Sequence, residues 1–79
     1  MAQRTTVDEK LPRAELAAYL KALAAEFETD ADEIDVDVGN KTITLTPPDE
    51  VDCSIDVVER SSLLRGNRET IAIELSWKS

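Results

Sequence analysis

Residues 71–78 read Ile-Ala-Ile-Glu-Leu-Ser-Trp-Lys, so that Ile71, Ile73, Leu75 and Trp77 alternate with Ala72, Glu74, Ser76 and Lys78. Side chains on a pleated strand point to opposite sides in turn, so this alternation marks a strand with one buried and one solvated face. It ends on the only Trp of the chain. A Trp side chain buries ~150–250 Å², which at ~25 cal/mol per Å² is roughly 4–6 kcal/mol as an upper bound. The chain has 79 residues, and a domain of that size buries only about 60% of its unfolded surface. A single domain over residues 1–79 is therefore expected, with Trp77 as a structural anchor of its one core.

Upstream, Pro12 suits the first turn of a helix, where its missing N–H is not needed. The helix is expected over residues 12–28, with Leu16, Leu20, Leu23 and Phe27 forming one apolar stripe and Tyr19 and Ala24 flanking it. At Glu33 the period switches to alternation, Ile34, Val36 and Val38 against Glu33, Asp35 and Asp37. Gly39-Asn40 then reads as a two-residue hairpin turn into a strand over 41–46. That turn pairs Val38 with Lys41, Val36 with Ile43 and Ile34 with Leu45, so apolar residues meet on one face.

Pro47-Pro48 closes this strand because neither residue can donate to a ladder. A third strand is expected over 52–60, with Cys53, Ile55 and Val57 on its core face and Val58 breaking the alternation. For the last hairpin an odd loop such as Arg65-Gly66-Asn67 is preferred, because it keeps both apolar sets on one side and pairs Val57 with Leu75 and Ile55 with Trp77. Residues 4–8 offer a further short edge strand. The expected fold class is α+β: one amphipathic helix packed on a four- to five-stranded antiparallel sheet, the last four strands a meander. Four strands at ~4.8 Å spacing span nearly 20 Å, against a helix about 10–12 Å wide. Part of the apolar face is thus left for sheet curvature or a second copy to cover, and a homodimer is expected.

The order of these segments resembles the Amphi-Trp domain family in its haloarchaeal form. The resemblance is carried by the helix Glu15-Leu-Ala-Ala-Tyr-Leu-Lys-Ala-Leu-Ala-Ala-Glu-Phe-Glu, the Val38-Gly-Asn-Lys hairpin, Glu59-Arg-Ser-Ser-Leu-Leu-Arg-Gly-Asn-Arg-Glu-Thr and the closing alternation onto Trp77. It covers nearly the whole chain, with one departure at Pro12, where the family pattern has a Ser or Thr capping the helix. It brings no activity, cofactor or catalytic residue to carry over.

Charge adds an expectation about solvent. Asp plus Glu number 17 against 9 Lys plus Arg, a net charge of −8 with pI near 4.3. Self-repulsion of that size is relieved by salt, since the Debye length falls from ~10 Å at 0.1 M to ~3 Å at 1 M. With only four lysines, the composition reads as that of a salt-in halophile. The first ten residues lack the apolar run of a signal peptide, and no segment is apolar enough for a membrane span, so the expected location is cytoplasmic.

Enzymatic chemistry has little to work with. There is no His, which removes the commonest general base and metal ligand. Cys53, alternating with Ile55 and Val57, reads as a small buried hydrophobe rather than a nucleophile. The acidic run Asp30, Asp32, Glu33, Asp35, Asp37 fails EF-hand spacing, because Ile34 falls at a ligand position and no Gly follows where the loop must turn. Two glycines exclude phosphate-binding and dinucleotide fingerprints. The polar side of the helix is not Lys/Arg-rich, which argues against a membrane partner.

One cluster departs from the acidic background: Arg60, Arg65 and Arg68 around the last loop, beside Leu63 and Leu64. Three arginines there suit a phosphate, a nucleic-acid backbone or an acidic partner. The plainer interpretation pairs them with Glu59 and Glu69, and the overall acidity disfavours nucleic acid. The sequence therefore points to a non-enzymatic, self-associating interaction module with no catalytic residue, metal or cofactor. The alternative is an accessory nucleic-acid or anion binder through Arg60, Arg65 and Arg68.

Overall fold

A computed structural model describes residues 3–78. It is α+β, with one helix, α1 (Arg13–Glu28), followed by four strands: β1 (Ile34–Val38), β2 (Lys41–Leu45), β3 (Asp52–Arg60) and β4 (Arg68–Ser76). The chain divides into two compact units, one ending at Pro47 and the other beginning at Pro48.

In the first unit Pro12 stands at the N-cap and not inside the helix. Its carbonyl accepts the first helical bond, from the Leu16 N–H at 3.0 Å, and its side chain offers no cap. Glu15 lies in the first turn, where a carboxylate favours the helix dipole. Thr29 ends the helix, both its N–H and its hydroxyl donating to the Glu26 carbonyl. The helix packs on β1. Tyr19 ties the two together, its hydroxyl donating to the Asp37 carbonyl at 2.7 Å. A second tie comes from the Asp35 N–H, which donates to Glu26 Oε1 at 2.8 Å.

β1 and β2 pair in the expected register, Ile34 with Leu45, Val36 with Ile43 and Val38 with Lys41. Gly39 has φ of 64°, and no non-Gly residue among the described residues has positive φ. One left-handed position followed by an ordinary one fits a two-residue turn with Gly first. The opposite face carries Asp35 against Thr44 and Asp37 against Thr42, and each Thr hydroxyl donates to its Asp Oδ1 at 2.8 Å. These two members of the acidic run are thus cross-strand hydrogen-bond acceptors. The core sits on the other face at Ile34, which is 2% exposed and the one buried hydrophobe among the described residues.

The second unit is the β3–β4 hairpin, paired antiparallel from Asp52–Ser76 to Arg60–Arg68. Two expectations are corrected here. The described strands form two sheets of two strands each, β1–β2 and β3–β4, and not one sheet of four or five. Pro47 and Pro48 lie between the two hairpins, where neither could donate to a ladder, and the division between the two units falls between them. Residues 4–8 form no strand. The register of the last hairpin also differs: Val57 pairs with Ile71, Ile55 with Ile73 and Cys53 with Leu75. The loop is odd, as expected, but takes in all of residues 61–67.

Candidate functional site

The seven-residue loop and its register decide what the hairpin presents. Pairing Cys53–Leu75, Ile55–Ile73 and Val57–Ile71 places six weakly polar or apolar side chains on one face, with Glu59–Glu69 at its loop end. No residue of β3 or β4 is buried. Ile71 is 71% exposed and Ile55 67%. Cys53, expected to be buried, is exposed, because the face it lies on is not covered. Trp77 is one residue past β4 and half-buried.

The other face carries Val58–Thr70 and Arg60–Arg68. These four residues line a shallow hollow of about 230 Å³ at the base of the loop. Alternation therefore separates the charges that the sequence had suggested as partners: Glu59 and Glu69 face one way, Arg60 and Arg68 the other. None of the three arginines makes an ion pair with a described residue. Like charges placed directly opposite repel, so the Arg60–Arg68 pair is a local concentration of positive charge.

The loop itself is held. The Ser62 N–H donates to the Gly66 carbonyl at 3.2 Å and the Gly66 N–H to the Ser62 carbonyl at 3.0 Å. The Arg65 N–H also donates to Ser62 Oγ at 3.2 Å. Gly66 has φ of 79°, a left-handed position that lets the chain close this loop. Between these ties Leu63 and Leu64 are fully exposed. Arg60, Leu63, Leu64, Arg65 and Arg68 are thus brought to one end of the hairpin, as the sequence suggested. Val58 and Thr70, which flank the arginine pair, were missed; the signal for them is the register.

Residues 2–79, which take in the helix, both hairpins and Trp77, match one family model, the Amphi-Trp domain. The chain belongs to the Amphi-Trp domain family. Searches of curated proteins and of solved structures found no match. Elsewhere in this Amphi-Trp domain, two open hollows of about 370 and 390 Å³ share Tyr19 as a lining residue. Of their acidic groups, Glu26, Asp35 and Asp37 are engaged by the Asp35 N–H, Thr44 and Thr42, with the Tyr19 hydroxyl on the Asp37 carbonyl, and Glu9 lines the second hollow. Among the described residues no group of three or more His, Cys, Asp or Glu is placed to hold a metal ion. No helix among them is long and apolar enough to cross a membrane.

Proposed function

We propose that this Amphi-Trp domain is a non-enzymatic, self-associating interaction module adapted to high salt, and that the apolar face of β3–β4 is its contact surface. The observation that carries it is the exposed, in-register row of Cys53, Ile55, Val57, Ile71, Ile73 and Leu75. An isolated two-stranded hairpin is marginal in water and needs a cover for its apolar face. Burying an aliphatic side chain fully is worth ~1.5–3 kcal/mol, so the exposed parts of Ile55, Val57, Ile71, Ile73 and Leu75 amount to roughly 4–9 kcal/mol per chain as an upper bound. Two copies together, at roughly 9–18 kcal/mol, are of the same order as the ~4–15 kcal/mol cost of association.

A second copy suits the face by symmetry and by charge. Each copy carries Glu59–Glu69 at one end only, and a two-fold antiparallel stacking of the hairpins keeps those carboxylates at opposite ends. Molar salt favours both steps by screening a net charge of −8 per chain. An Ile55→Asp/Ile71→Asp variant tests the reading by sedimentation at molar salt: the wild type is expected as a dimer and the variant as a monomer. Equal sedimentation of the two removes the β3–β4 face as the contact.

A second reading is favoured by the Arg60–Arg68 pair, opposed in register and without a carboxylate partner among the described residues: an anion site at the loop end. Phosphate groups are the chemistry that two facing guanidinium groups select. Titrating a phosphate-bearing probe against the wild type and Arg60→Gln/Arg68→Gln tests it, and equal affinity of the two would remove it.

A further inference from the structure

We infer that the 61–67 loop docks on an anionic phospholipid surface, with Leu63 and Leu64 entering the boundary between headgroups and acyl chains while Arg60, Arg65 and Arg68 hold lipid phosphates. This rests on the anion reading and names its source. The two leucines are the most exposed of the large hydrophobic side chains in the described chain, and they sit in a turn closed by the reciprocal Ser62–Gly66 bonds. An apolar tip held out from a hairpin end, ringed by arginines without ion pairs among the described residues, is complementary to a surface that is negative outside and apolar just beneath.

The depths agree. Arg60 is three residues behind Leu63, at most about 10 Å for extended chain and less through the turn, and interfacial apolar groups lie ~5–10 Å below the headgroups. Leucines at that depth leave Arg60 and Arg68 level with the phosphates. The nearest carboxylates, Glu59 and Glu69, lie at the same end but on the opposite face, two acids against three arginines, and Asp52 lies at the far end of the nine-residue β3. That is about 26 Å from Arg60 along the strand, against a Debye length of ~10 Å at 0.1 M salt. Nucleic acid fits less well: single strands stack on aromatic side chains, and residues 61–67 contain none. The non-basic polar side of α1 argued against a membrane partner for the helix, and the loop is a separate element.

The test is co-sedimentation of the full chain with phosphatidylglycerol–phosphatidylcholine vesicles and with pure phosphatidylcholine vesicles at 0.1 M salt. It is run for the wild type, Leu63→Ser/Leu64→Ser and Arg60→Gln/Arg68→Gln, with circular dichroism confirming the fold and an RNA oligonucleotide titrated in parallel. The wild type is expected to bind the anionic vesicles and not the zwitterionic ones. The leucine variant is expected to lose about tenfold in affinity, and the arginine variant about fivefold per residue removed. Absence of vesicle binding by the wild type, or binding indifferent to the leucines, overturns the lipid proposal. If RNA then binds the wild type and not the arginine variant, the anion reading survives with a different partner. If neither binds, both fall.

Discussion

The two hairpins are built from the same alternating pattern and end differently. β1–β2 has five-residue strands joined through Gly39-Asn40. It is backed by α1 through Tyr19 and Glu26 and contains the one buried hydrophobe among the described residues, Ile34. β3–β4 has nine-residue strands and a seven-residue loop. Its aliphatic side chains, Ile55 and Ile71 foremost, remain exposed. The first hairpin therefore has its cover within its own unit, whereas the second has no helix in its unit to cover an equivalent face. Alternation specifies which side of a strand is apolar; it does not specify what that side is buried against.

The largest difference should appear on truncating the two faces. Ile34→Ala removes a buried side chain and is expected to destabilise the fold by about 2–4 kcal/mol, read as a lower denaturant midpoint. Ile55→Ala should cost the fold well under ~1 kcal/mol at dilute protein and act instead on the dimer constant. Equal losses at the two positions would break the comparison.

A smaller effect separates the two turns. Gly39→Ala and Gly66→Ala both force a side chain into a left-handed position, which costs about 1–2 kcal/mol. A Cβ at Gly39 would meet Val7 Cγ2 at 3.5 Å, an ordinary contact, and one at Gly66 would meet nothing within 4 Å. The cost is therefore conformational at both. The Gly39 variant should show all of it in chemical denaturation, because the two-residue turn has no slack. The 61–67 loop can relax, so a Gly66 variant as unstable as the Gly39 variant would show that loop to be equally constrained.

The smallest effects belong to the ties that hold the first unit. Tyr19→Phe removes the hydroxyl that donates to the Asp37 carbonyl, and Thr42→Val removes the cross-strand bond to Asp37. Each should cost about 0.5–1 kcal/mol in urea denaturation, since both bonds are exposed. Neither should alter self-association if the contact lies on β3–β4.

These differences also mark what could be deduced from the chain. The helix, all four strands and the β1–β2 register follow from periodicity and from Gly39-Asn40, whose short turn admits one pairing. The second register did not follow. Several odd loops keep Ile55 and Ile73 on one side, and choosing among them depends on the Ser62–Gly66 bonds and on Gly66, which no pattern announces. The exposure of Cys53 was invisible for a similar reason, since alternation with Ile55 and Val57 reads the same whether or not the face is covered. At the candidate site, Arg60, Arg65 and Arg68 stood out by composition. Their separation from Glu59 and Glu69 became clear only once the register placed acids and arginines on opposite faces.

The measurement that bears most directly on these claims is sedimentation equilibrium of the wild type and Ile55→Asp/Ile71→Asp at ~0.15 M and at molar salt, where the Debye length falls from ~8 Å to ~3 Å. A wild-type dimer strengthened by salt, beside a folded variant that stays monomeric at both salts, is the predicted result. A folded wild-type monomer at molar salt, or a variant that dimerises equally well, would contradict the assignment of the β3–β4 face as the surface through which this Amphi-Trp domain associates.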